Sequence, residues 1–377
     1  MSKEDFYHFE EQFHAKDRKL FRKERKMASS KDRSKFKKSD QDQLKKRSQQ
    51  ETPPPMREDL LRGRVLAISL EGIEVDCDGT HYICSLKGTL KQDKNRIKNL
   101  VAVGDFVQIE KSSANEGCIA LVEERRSILS RADNLSRNKE QLLAVNIDFV
   151  LITTSVLHPP LKPFLVDRYI IAAKKGNMLP LIIVNKIDLL ENPPVGYDPL
   201  TVEAEKILYE EFLKTYRDLK IPVFPVSAVA NVGIAALAEA MHGKAAVFSG
   251  QSGVGKSSLI NLIADTNLPI GAVVEKTRKG SHTTTSTHLI PIIGGGFCID
   301  TPGIKSFGLW DLGKEQIEEY FSEICAEGEH CKFPDCSHMN EPECAVQKAV
   351  AEERISFLRF ASYCALMTSL AEEHRHR

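Results

Sequence analysis

Residues 248–263 read FSGQSGVGKSSLINLI. Gly250, Gly255, Lys256 and Ser257 spell G-x-x-x-x-G-K-S, the spacing of a loop whose backbone N–H groups cradle nucleotide phosphates. The apolar AAVF before it reads as a strand and SSLINLIAD after it as a helix, so the context such a loop needs is present. Gly250, Gln251, Ser252, Gly253, Val254, Gly255, Lys256, Ser257 and Ser258 are therefore the candidate phosphate-binding residues. Lys256 is expected to reach the β- and γ-phosphates and to act in catalysis, and Ser257 to hold Mg²⁺; the helix N-terminus adds its positive dipole end. Almost two thirds of the chain precedes this loop.

Downstream, CIDTPG places Asp300 and Gly303 after a strand in the D-x-x-G pattern, where a carboxylate meets the metal through water and a glycine N–H meets the γ-phosphate. Between the two motifs, KTRKGSHTTTSTH (276–288) is a hydroxyl-rich candidate switch loop. One of its threonines would complete the Mg²⁺ shell; Thr284 is the first choice, with Thr283 and Thr285 beside it.

The base-reading motifs stand upstream. IIVNKID gives Asn185, Lys186 and Asp188 at a strand end as N-K-x-D, whose carboxylate can accept from both N1–H and the exocyclic amine of guanine. Adenine lacks that donor pair, so GTP is expected over ATP. One strand later, Ser227 and Ala228 would offer a backbone N–H to guanine O6. The parts of a GTPase are thus all present but in rotated order, as if the domain had been cut and its old termini joined. Such a permutation is tolerated when termini lie close together at the surface.

Around these motifs, apolar strands alternate with helix-length stretches such as 163–175 and 201–219. This pattern predicts an α/β domain over 140–315 with a mostly parallel sheet and ligands at the carboxyl ends of its strands. Before it, RRSILSRADN reads as a polar connector. Residues 58–125 break into five short alternating runs, which predicts a small OB-fold barrel; an oligonucleotide face and a purely structural barrel both fit.

The zero net charge is a sum of opposite parts: residues 1–57 carry 17 Lys and Arg against 10 Asp and Glu, an excess of +7, and the remainder carries −7. The first segment has few apolar residues and ends in TPPPM, so it reads as a basic disordered arm, either a solubilising tail or a binder of RNA phosphates. No apolar run approaches the length of a membrane span and the first residues are too polar for a signal peptide, so a cytoplasmic protein without membrane contact is expected.

Of nine cysteines, four fall within 20 residues near the C-terminus. Cys331, Cys336, His338 and Cys344 offer three thiolates and one imidazole, a closed tetrahedral set suited to one structural Zn²⁺; Cys325 is left out. The Ala-rich helical periodicity beyond predicts helices packed around that site over 316–377.

In this order (N-K-x-D, S-A, GQSGVGKSSL, HTTT, DTPG, C-x4-C-x-H-x5-C) the chain resembles the circularly permuted ribosome small subunit-dependent GTPases, the RsgA family, also called YjeQ or EngC, over about residues 58–377. The resemblance implies a protein that binds the small ribosomal subunit and its rRNA late in assembly and hydrolyses GTP to GDP with ribosome stimulation, expected as a monomer. After DTPG stands Ile304, whose side chain cannot orient water; His282 is similar to the family's proposed catalytic histidine and could take that task. An RNA-binding module that only senses GTP and GDP is a second reading. A phosphohydrolase of small molecules is a third, disfavoured by the guanine-reading carboxylate.

Overall fold

The computed structural model describes residues 60–69, 71–87, 100–133, 136–264, 288–300 and 314–375. The arm, His282, Thr283, Thr284, Thr285 and Gly303 lie outside these residues.

Five strands, β1 (Leu61–Ile68), β2 (Ile73–Cys77), β3 (Thr80–Leu86), β4 (Phe106–Lys111) and β5 (Glu116–Val122), close into a barrel of order β1-β2-β3-β5-β4. All pairings are antiparallel except β3 with β5. This is the five-stranded barrel expected from the alternating runs: Val65, Val75, Val107, Ile109 and Ile119 point inward and are fully buried.

The expected polar connector is instead a β-hairpin, β6 (Ile128–Asp133) with β7 (Ser136–Val145). Its apolar residues explain the difference: Leu129 and Ala144 are buried in the core of the following α/β layer, so pairing satisfies the backbone they carry inside.

The main sheet has the order β10-β9-β8-β11-β13-β12. Strands β8 (Phe149–Ser155), β9 (Leu179–Asn185), β10 (Val223–Pro225), β11 (Ala245–Gly250) and β13 (Phe297–Asp300) run parallel, and only the short β12 (Ile290–Pro291) is antiparallel. Alternate residues feed two cores. Val150, Ile152 and Val247 face the layer of α1 (Pro163–Lys175) and α3 (Pro199–Asp218), while Leu151, Ala246 and Phe248 face α4 (Ile234–Ala240) and α5 (Lys256–Ile263). Helix α3 starts where Asp198 accepts from the Thr201 N–H at 3.2 Å with Pro199 in the first turn. A one-turn helix, α2 (Asp188–Glu191), follows β9.

The last four helices are α6 (Lys314–Glu318), α7 (Ser322–Gly328), α8 (Ala345–Ala351) and α9 (Phe357–Arg375). Ile317, Phe321, Ile324, Val346, Tyr363 and Leu366 form their core together with Ile171 of α1. No described helix is long and apolar enough to cross a membrane.

Candidate functional site

Strands β9, β10 and β11 end at one edge of the sheet, which brings Asn185, the 227–228 turn and the loop after Gly250 together. The loop passes so close to β8 that a Cβ on Gly250 would stand 2.0 Å from the Thr153 carbonyl oxygen. At Gly255, with φ +96°, a Cβ would meet Asn185 Nδ2 at 2.3 Å. These two glycines are required by close approach as well as by backbone conformation.

Lys256 opens α5, and its Nζ donates to the Gly250 and Gln251 carbonyls at 2.9 Å each. Its ammonium thus sits over the mouth of the loop. Gln251 and Gly255 are half-buried, Ser252 and Gly253 exposed, Val254 buried beneath them, and Ser257 and Ser258 exposed on the first turn of the helix.

Asn185, 1% exposed, ties the end of β9 and the 227–228 turn to this loop: its Nδ2 donates to the Val254 carbonyl at 2.9 Å, and its Oδ1 accepts the Ala228 N–H at 3.1 Å. Of the two backbone amides that the sequence offers to guanine O6, that of Ala228 donates to Asn185 and that of Ser227 to the Val232 carbonyl at 3.0 Å. Ser227 is fully buried and shapes the turn, its Oγ accepting from the Ala230 N–H at 3.0 Å. Lys186 reaches across with Nζ 2.6 Å from both the His158 and the Gly253 carbonyls. Burial lowers its pKa, against the pull of Asp188.

Asp188, the first residue of α2, has a buried Oδ1 with no hydrogen-bond partner among the described residues. A buried carboxylate oxygen left in that condition is costly, and a ligand carrying two adjacent N–H groups relieves it. Asp300 closes β13, in register with Phe248 of β11, which places it one strand from the phosphate loop.

The second constellation lies among the C-terminal helices. The ligand atoms of Cys331, Cys336, His338 and Cys344 lie within 4.8 Å of one another. His338 Nδ1 is 3.5 Å from the sulfurs of both Cys331 and Cys344, which are 3.8 Å apart. Donors placed tetrahedrally at about 2.3 Å from one ion stand about 3.7 Å apart, so the set fits a four-coordinate cation. Burial pushes the Cys336 thiol up to about 12 and raises Cys344 too, so a cation would displace protons on binding. Cys325 is not part of the group.

Sequence spacing missed the residue behind the histidine. Glu318 of α6 sets Oε1 3.3 Å from His338 Nε2, which leaves Nδ1 as the ligating nitrogen. It also missed the buried joint between α1 and α9, where the Arg359 guanidinium meets Asp167 and, at 2.6 Å, Glu323. Neither has a local signature, since each pairs elements far apart in the chain.

The family profile described as RsgA GTPase matches residues 122–310. The chain belongs to the RsgA GTPase family. Small ribosomal subunit biogenesis GTPase RsgA from Chlorobaculum parvum is 42% identical over 288 residues, covering 74% of this chain and 88% of the relative. The protein of that name from Phocaeicola vulgatus is 34% identical over 302 residues, 80% and 93% of the two chains. Among solved structures, YjeQ from Thermotoga maritima superposes with a TM-score of 0.65 at 28% identity, over 83% of this chain and 99% of that one. YloQ, described as a circularly permuted GTPase, shares the fold at a TM-score of 0.63. The rotated motif order of this RsgA-family GTPase is thus a property of its fold class, and the barrel and the Cys/His group flank the permuted domain.

Proposed function

We propose that this chain binds the small ribosomal subunit and its rRNA, hydrolyses GTP to GDP and phosphate under stimulation by that particle, and so acts as a checkpoint late in subunit assembly. It works in the cytoplasm as a monomer. The observation that supports the reading is the pairing of Asn185 with Val254, which ties the strand end preceding Asp188, whose buried Oδ1 has no hydrogen-bond partner among the described residues, to the loop that leads into Lys256. The names of the relatives supply the ribosomal partner.

In this reading the Asp188 carboxylate accepts from the guanine N1–H and amine, and adenine leaves it unpaired. Lys256 exchanges its loop carbonyls for β- and γ-phosphate oxygens, and the N–H groups of 250–258 complete the cradle. Ser257 and Thr284 hold Mg²⁺, which supplies charge neutralisation on the phosphate oxygens. His282 orients the attacking water, because Ile304 cannot. Asp300 and Gly303 face the γ-phosphate end. The Cys331, Cys336, His338, Cys344 group holds structural Zn²⁺, its soft donors and closed geometry leaving no open position for catalysis. Residues 1–57, 58–125, 140–315 and 316–377 are read as basic arm, barrel, GTPase and zinc-binding domains.

The deciding experiment is GTP turnover by the purified chain with and without equimolar small ribosomal subunits, with ATP as control. Strong stimulation confined to GTP supports the checkpoint reading. Tight GTP binding with turnover that subunits leave unchanged would make the chain a nucleotide-sensing RNA binder and remove the role given to His282.

A further inference from the structure

The loop of residues 156–161, after β8, carries none of the nucleotide motifs, yet its backbone is fixed from four directions. Glu205, in the middle of α3 and 8% exposed, accepts with one oxygen, Oε1, the N–H of Leu157 at 3.0 Å and of Leu161 at 2.6 Å. Tyr197 donates its hydroxyl to the Leu157 carbonyl at 3.2 Å, and Ser155 Oγ donates to the Pro159 carbonyl at 2.8 Å. The fourth tie is Lys186, whose Nζ holds the His158 carbonyl on one side and the Gly253 carbonyl of the phosphate loop on the other.

Glu205 occupies a position on the apolar face of α3, between Val202 and Phe212, which are both buried. It makes no ion pair among the described residues, and burial raises its pKa against the two backbone N–H groups that lower it. An aliphatic residue would fill that place on the helix without desolvating a carboxyl group. Local rules are broken in this way chiefly where function requires it.

We propose that Glu205 is a positioning residue of the nucleotide site: by anchoring the 157–161 loop it places the His158 carbonyl, which with the Gly253 carbonyl locks Lys186 between the base-reading strand and the phosphate loop. The inference rests on the guanine-site reading above. It makes α3, which supplies no motif, part of the binding apparatus. These hydrogen bonds hold the loop in one conformation before the nucleotide arrives, so less ordering is required on binding.

The test is a double-mutant cycle on the full-length chain, with GDP affinity measured by titration calorimetry for wild type, Glu205→Ala, Lys186→Ala and the double variant. Glu205→Ala is expected to weaken GDP about tenfold in the wild-type background and less than about twofold where Lys186 is already alanine, since the two act in series. An equal loss in both backgrounds, or none in the first, overturns the proposal; a general loss of packing would act alike in both. Should Glu205→Ala fail to fold, Tyr197→Phe decides instead. It removes one bond to the same loop, with a loss of about threefold expected that vanishes beside Lys186→Ala. Failure of the wild type itself to bind GDP would instead remove the guanine-site reading.

Discussion

Asn185 Nδ2 donates to the Val254 carbonyl at 2.9 Å, although the two residues stand 69 positions apart in the chain. Through this bond the end of β9, proposed to read the base, and the loop after Gly250, proposed to hold the phosphates, are joined into one rim, while the Ala228 N–H secures the other side of the same amide.

Asn185→Ala leaves the Val254 carbonyl and the Ala228 N–H without that partner. Each lost buried hydrogen bond costs about 1–3 kcal/mol, so GDP affinity is expected to fall at least about tenfold in calorimetry. Gly255→Ala reaches the same rim from the other side, since the new methyl would displace Asn185 Nδ2. A variant of either kind with wild-type affinity would show that the rim does not position the ligand.

Arg359 is 3% exposed, packed over the Phe321 ring at 4.1 Å and paired with Asp167, which is fully buried. Burial would lower the guanidinium pKa, but the Asp167 and Glu323 carboxylates outweigh it and hold Arg359 charged. Arg359→Met is expected to cost about 3–5 kcal/mol in urea unfolding, because it strands a buried carboxylate. Adding Asp167→Leu should return much of that loss; a double variant no better than the single one would contradict the pairing.

Glu318 holds His338 with Nδ1 toward the sulfurs of Cys331 and Cys344. Glu318→Ala is expected to weaken metal binding about 10- to 100-fold in competition with a chromogenic chelator. Stripping the metal from the wild type should lower the thermal midpoint, and re-addition should restore it. Equal metal retention by variant and wild type would remove Glu318 from this role.

Glu341 is held at about 2: burial raises its pKa, but bonds from the Ser337 hydroxyl and N–H outweigh it. Its folded value lies below the ordinary 4.5, so its contribution to stability is complete above that pH and is lost as pH falls toward 2. The gap in thermal midpoint between wild type and Glu341→Gln should accordingly be constant from pH 7 to 5 and shrink below. A gap independent of pH down to 3 would refute the assignment.

The fold class, the rotated order of the motifs and the Cys/His grouping were all readable from the chain, because each depends on short-range spacing. Five alternating runs made the barrel, buried apolar runs made the parallel strands, and G-x-x-x-x-G-K-S between a strand and a helix named its own geometry. Partnerships across the fold had no such signature. The first strand of the 128–145 hairpin, within RRSILSRADN, looked like a polar connector because its burial is supplied by a later layer. Glu205, Glu318 and the Arg359–Asp167 pair were invisible for the same physical reason: a carboxylate in a helix has no local property that says which backbone amide, imidazole or guanidinium will be brought to it. Only tertiary packing makes that choice, and here it also turned the Ala228 amide toward Asn185.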